Sequence, residues 1–339
     1  MSLSLIWYGV IGISMIAYAI LDGFDLGVGC LHLFSRSDRE RQMFFKAIDP
    51  VWDGNEVWLV IIFGGLFAGF PPVYSFICST FYSLIMLLIA GLILRIVSIG
   101  FRSKHPHPLW RWGWDILFTL SSLAIALSLG ILLAHLIRGL PIDHRGYLVI
   151  SFVDLLTPYA LLIAVTGIFS MMVHGALYLV MKVEGDLQKR VRRWAWVSFI
   201  LLLIGYFLSV MVTMHNLSHA REMMWKTPWS CAAMILPLLA MMGVCYCLYG
   251  RREKGAFLFS CLTISSLLII FGLSTFPNFV RSTLDPQFSL TYNRHSASTY
   301  ALTTLLIVIS VGLPLVFVYG FWIYRTFKGK VSSEEELHY

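Results

Sequence analysis

Four carboxylates and one guanidinium stand in stretches of sequence that are otherwise apolar. Asp22 and Asp25 lie in Leu21-Asp22-Gly23-Phe24-Asp25-Leu26-Gly27-Val28-Gly29, spaced i to i+3 and therefore on one helix face. Asp53 and Glu56 lie in Val51-Trp52-Asp53-Gly54-Asn55-Glu56-Val57-Trp58, where Asp49, Asp53 and Glu56 at i, i+4 and i+7 make one polar stripe. Arg95 sits in an apolar run seven residues before Arg102. A carboxylate at membrane depth costs several kcal/mol, so such residues call for a function or a partner. Four acids and one arginine at a similar depth cannot all be ionised and paired. At least one carboxyl is then neutral and able to take up and release a proton. A plainer reading is that Asp53 complements the positive end of its helix while Arg95 closes a structural ion pair. A proton-coupled transporter would need the same residues, and spacing alone does not separate these readings.

The elements that must position these groups are membrane helices. Of 339 residues, 58% are hydrophobic and 13% charged, where a soluble domain carries roughly a quarter charged residues. The apolar runs predict an all-α integral membrane protein in a single transmembrane domain, 1–339, with about nine helices near 4–33, 50–70, 73–101, 111–137, 149–181, 192–214, 229–249, 256–275 and 299–325. Asp49-Pro50 reads as an N-cap followed by proline at the first helical position, and Phe70-Pro71-Pro72 as the turn that closes the second helix. Gly23 and Gly27 form a small-xxx-small pair that admits another helix closely, just where the first helix carries acid.

The net charge of +7 is dispersed over short loops, which argues against a nucleic-acid partner. The loops at 34–49, 102–111, 182–193 and 250–255 and the tail from Arg325 hold 18 Lys and Arg, and the alternate loops hold six. That bias predicts an N-terminus outside and a C-terminus in the cytoplasm. Met1 to Tyr8 has no basic residue, so the first helix is expected to be a permanent span and not a cleaved signal. Trp110, Trp112, Trp114, Trp194, Trp196, Trp225, Trp229 and Trp322 fall at predicted span ends, where indole rings prefer the interface. The six cysteines lie within or at the ends of apolar segments, with no metal or disulfide spacing. His135 and His174 fall at opposite depths and cannot clamp one haem, whereas His32 could lie level with His174. No metal or haem is expected on this chain alone.

Asp22-Gly23-Phe24-Asp25-Leu26-Gly27-Val28-Gly29 followed by Trp52-Asp53-Gly54-Asn55-Glu56-Val57-Trp58-Leu59 resembles subunit II of cytochrome bd-type quinol oxidases. Arg95, Arg102-Ser103-Lys104, Thr275-Phe276-Pro277, Ser289-Leu290-Thr291 and the basic tail extend the resemblance over essentially the whole chain. The resemblance implies two four-helix bundles plus one extra helix, paired by a pseudo-twofold with a similar subunit I in a bacterial cytoplasmic membrane. It implies a complex that oxidises quinol and reduces oxygen to water, with two b-type haems and haem d in subunit I and none here. Small single-span accessory subunits are further partners that it implies. In some members a structural quinone sits near the residue matching Trp52, which makes Trp52 the cofactor-contact candidate. The family's proton path carries over to Asp53 and Asp25 more than to Glu56, with Asp22 and Asp25 lying toward the partner. A purely structural subunit and a proton-coupled secondary transporter are the competing readings.

Overall fold

The computed structural model describes residues 2–144, 146, 148–225 and 228–331, and side chains outside 223–232. Arg145 and Lys226, which enter the charge bias, and the side chains of Trp225 and Trp229 lie outside that description. The chain is a bundle of long helices: α1 (Leu3–Leu31), α2 (Asp38–Ile48), α3 (Trp52–Gly69), α4 (Pro71–Thr80), α5 (Tyr82–Arg102), α6 (Pro108–Arg138), α7 (Phe152–Leu155), α8 (Pro158–Lys182), α9 (Gly185–Asn216), α10 (Ser218–Trp225), α11 (Pro228–Tyr249), α12 (Glu253–Thr275) and α13 (Thr299–Thr326). Among the described residues, seven helices are long and apolar enough to cross a membrane, or eight if α2 and α3, bent by 53°, are one span. The ninth expected span rests on α11, whose apolar stretch runs over Ala233–Tyr249.

Several boundaries differ from the sequence reading. The loop expected at 34–49 contains α2, an amphipathic helix opened by a variant of the capping box: Glu40 N–H donates to the Ser37 hydroxyl at the N-cap, and the Glu40 carboxylate accepts from the amide of Arg36, one residue before the cap, at 2.8 Å. Asp49 stands at the C-cap of α2, its amide donating to Phe45 O, and the following helix starts at Trp52 with Val51 at its N-cap position. The helix expected at 73–101 is α4 and α5, joined at Phe81 with backbone bonds preserved on both sides. Residues 149–157 hold the single turn of α7, and the helix expected there begins at Pro158, whose missing amide is harmless at a first-turn position. Prolines at the start of α4 close α3 as expected.

α1 is the central helix, packed on α3, α6, α8 and α12. One packed interior gathers Phe24, Val28 and Leu31 of α1 with α2, α8, α9, α11 and α12; the other gathers Trp7, Ile11 and Tyr18 with α3 to α6 and Leu302 of α13. The end opposite α2 is closed by segment 276–298, whose two short antiparallel strands, Asn278–Val280 and Leu290–Thr291, pair with each other. This cap is fastened to the α6–α7 loop by Leu140 N–H to Arg281 O at 2.9 Å and Ser282 Oγ to Ile142 O at 2.7 Å. The five cysteines whose side chains are described are all free thiols.

Candidate functional site

The last turns of α1 crowd against α8 because neither helix has a side chain at the crossing. A Cβ added at Gly27 would stand 1.8 Å from Met171 O, and one added at Gly175 would stand 2.5 Å from the Gly27 carbonyl carbon. His174, one residue earlier, ties the two helices together: its Nε2 lies 2.9 Å from Ile20 O, and its Nδ1 lies 2.7 Å from Ser260 Oγ of α12. With both ring nitrogens engaged, His174 has none left for an axial bond to a haem iron. Nε2 of His32 is held by Asp115 at 2.7 Å, and Nε2 of His135 lies 2.9 Å from Leu155 O.

This rigid crossing directs Asp22 and Asp25 toward α3 and α5. One nitrogen of Arg95, Nη2, donates to Asp22 Oδ1 at 2.7 Å and also to Glu56. Asp22, Asp25 and Arg95 are 0%, 1% and 1% exposed, and the Glu56 side chain is 18% exposed. Asp25 does not touch the guanidinium. Its Oδ2 accepts from Asn55 Nδ2 at 2.7 Å, and the Asn55 carbonyl oxygen accepts from the Tyr324 hydroxyl of α13 at 2.9 Å. Asp22, Asp25, Glu56 and Arg95 are nevertheless close enough to feel one another's charge. Three carboxyls therefore share one guanidinium.

Five buried polar atoms of this group have no partner within the described chain: Tyr18 Oη, Asp22 Oδ2, Asp25 Oδ1, and Nε and Nη1 of Arg95. A buried polar atom without a hydrogen bond costs about 1–3 kcal/mol, so a group of five in one place is a place for water. Asp53 lies elsewhere. It is exposed in the first turn of α3, outside the ion pairs but within electrostatic reach of Glu56. Of the expected stripe, Glu56 enters the cluster, Asp53 stays at its surface, and Asp49 stands at the C-cap of α2. Asp22 and Asp25, expected toward the partner, are in the interior of this chain. Trp52 is half-buried at the start of α3.

A second ion network, two turns along α5, was not evident from spacing. Arg102 binds Asp115 of α6 through Nε at 2.5 Å and Nη2 at 3.2 Å, and Asp38 of α2 at 2.5 Å. His32 and Arg41 complete the shell of Asp115, and Arg111 pairs with Asp38 at 2.8 Å. This network joins α2, α5, α6 and the end of α1 at the face carrying the basic loops. Sequence signals existed in the buried acid Asp115 of an apolar helix and in the capping box of α2, but the pairings span 13 to 83 residues.

The whole chain matches known proteins. Residues 3–327 match the family model described as cytochrome bd terminal oxidase subunit II. The chain is 32% identical over 370 residues to cytochrome bd-I ubiquinol oxidase subunit 2 of Escherichia coli strain K12, covering 98% of this chain and 96% of that one. It is 29% identical to cytochrome bd ubiquinol oxidase subunit 2 of Bacillus subtilis strain 168, covering 100% and 99%. A solved structure of bd oxidase from Geobacillus thermodenitrificans shares the fold with a TM-score of 0.80 at 18% identity, over 96% of this chain and 99% of that chain. With long apolar helices throughout and a family model spanning nearly its full length, this multi-pass membrane chain belongs to the cytochrome bd terminal oxidase subunit II family.

Proposed function

We propose that this chain is the haem-free subunit of a quinol:oxygen oxidoreductase, that it holds the haem-bearing subunit I in an assembled heterodimer, and that it carries part of the cytoplasmic proton path. The observation behind the proton role is the carboxyl series running from exposed Asp53 through part-buried Glu56 to buried Asp22 and Asp25. Charge balance leaves a proton on the group, because one guanidinium serves three carboxyls in a region of low dielectric. Asp25 is the member suited to exchange it. Asn55 anchors Oδ2 of Asp25, and Oδ1 of Asp25 has no hydrogen bond among the described residues. Arg95 fixes Asp22 and Glu56 at one nitrogen and leaves Nε and Nη1 to orient water. Asp53 then lies at the chain's surface, where protons enter or leave the series.

The haem-free reading draws support from His174, whose two ring nitrogens are committed to Ile20 O and Ser260 Oγ. A quinone beside half-buried Trp52 rests on the family resemblance, as do small accessory subunits. The structural reading, in which the acids only brace the helices, is favoured by the direct Arg95 pairs but does not account for the unpartnered Asp25 oxygen. A secondary transporter is the reading that purification separates. Isolated from native membranes, the chain should copurify with a haem protein of similar size and give a haem d absorbance band; a colourless preparation of this chain alone would remove the oxidase role.

The orientation we propose puts α2 and the basic loops in the cytoplasm. A reporter active only outside the membrane should work when fused at Asp285, in the cap segment, and fail at Arg190. The reverse pattern would invert the orientation and move proton entry to the other side.

A further inference from the structure

We propose that a cavity between α2 and the start of α6 seats the phosphodiester headgroup of an anionic phospholipid. The cavity has a volume of about 530 Å³ and is lined by Asp38 and Arg41 of α2, Pro106 of the preceding loop, and Leu109, Arg111 and Trp112 of α6. Its charge is unbalanced. Arg41, Arg102 and Arg111 are joined to two carboxylates, Asp38 and Asp115, so the network carries at least one excess positive charge whatever the state of His32. The acids are already fully engaged. Asp38 gives Oδ1 to Arg102 at 2.5 Å and Oδ2 to Arg111 at 2.8 Å and Gln42 at 2.9 Å. Asp115 gives its oxygens to Arg102 and His32, leaving Arg41 a 3.4 Å contact.

The donors that remain belong to the two guanidiniums lining the cavity. Among the described residues Arg41 is otherwise held by Nε to Ser35 Oγ at 3.1 Å, and Arg111 bonds Asp38 through Nη1, which leaves its Nη2 unengaged on a side chain that is 28% exposed. A monoanionic phosphodiester supplies the missing charge and accepts from both arginines, as paired guanidiniums favour. A zwitterionic headgroup does not supply it. The lining also has an apolar, exposed part: Leu109 is 72% and Trp112 53% exposed, with Phe101 and Trp110 also exposed close by in sequence. Tryptophans sit at headgroup depth, so a ligand there has its charge on the arginines and its acyl chains along Leu109 and Trp112. Free phosphate would use the arginines and leave Leu109 and Trp112 without a role.

The test uses the intact complex with its partner subunit, delipidated in detergent and titrated during native mass spectrometry with phosphatidylglycerol, phosphatidylcholine or inorganic phosphate. Wild type should retain one phosphatidylglycerol that phosphatidylcholine does not replace. Arg41→Gln should weaken it about fivefold, the effect expected for one guanidinium at a membrane surface. Leu109→Glu, at an exposed position outside the ion network, should weaken it comparably without disturbing assembly. Equal retention of the two lipids, or phosphatidylglycerol binding unchanged in both variants, would overturn the proposal. Displacement of the lipid by millimolar inorganic phosphate would also overturn it and assign the arginines to a free anion.

Discussion

Gly27→Ala should leave membranes nearly empty of assembled complex, although it adds one methyl group. The added carbon would stand 1.8 Å from Met171 O and 2.9 Å from the Gly175 Cα. These are backbone atoms, which cannot rotate away as a side chain tip can. Relief requires α1 and α8 to separate by more than about 1 Å, and overpacking of this kind typically costs about 1–3 kcal/mol where side chains can still adjust. Here the same movement pulls Ile20 O from His174 and displaces Asp22 and Asp25 from Arg95 and Asn55. Gly175→Ala should fail in the same way. Gly9→Ala is the control: nothing among the described residues lies within 4 Å of its added carbon, and alanine is the better helix former by about 1 kcal/mol. Haem absorbance per unit membrane, with immunodetection of both subunits, measures the result. Normal assembly of Gly27→Ala would mean that the α1–α8 contact is looser than described.

That crossing was half legible in the sequence. The glycine pair at 23 and 27 signalled a close approach on α1, while the partner helix could not be named because Gly175 is nearly 150 residues away in an unremarkable apolar run. The acid cluster shows the same division. Apolar context exposed Asp22, Asp25, Glu56 and Arg95 as misplaced charges, since the cost of burial is a property of each residue alone. Their pairing is a property of the fold. Asn55 stands inside the motif without a sequence signal of its own, because a neutral amide carries no charge penalty, yet it is the residue that holds Asp25 and links it to Tyr324. Asp53, in the first turn of α3, faces outward because the stripe it shares with Glu56 straddles the edge of the packed interior. The mixed charges of α2 give no apolar run, so in the sequence only its N-cap pattern marks it as a helix.

The proton role makes a second prediction of large effect. Asp53→Asn should lower quinol-driven oxygen consumption per assembled complex about a hundredfold, the usual scale for losing a positioned proton-transfer group. Assembly should be near normal, because Asp53 is exposed and makes no ion pair among the described residues. Asp25→Asn should be as slow for a different reason. The new amide can turn its carbonyl oxygen to Asn55 Nδ2 and keep the bond that Asp25 makes now, but it cannot exchange a proton. Asp115→Asn supplies the contrast. It loosens a carboxylate that holds Arg102 and His32, so it should reduce the amount of complex, by about 3–5 kcal/mol of stability for a broken buried pair, while the complex that forms turns over normally. If Asp53 merely complemented the helix dipole, its loss would cost no more than about 1 kcal/mol of stability and leave turnover intact. Oxygen-electrode rates divided by haem content separate these cases. Wild-type turnover in both Asp53→Asn and Asp25→Asn would remove the carboxyl series from the proton path and leave it a brace between α1, α3 and α5.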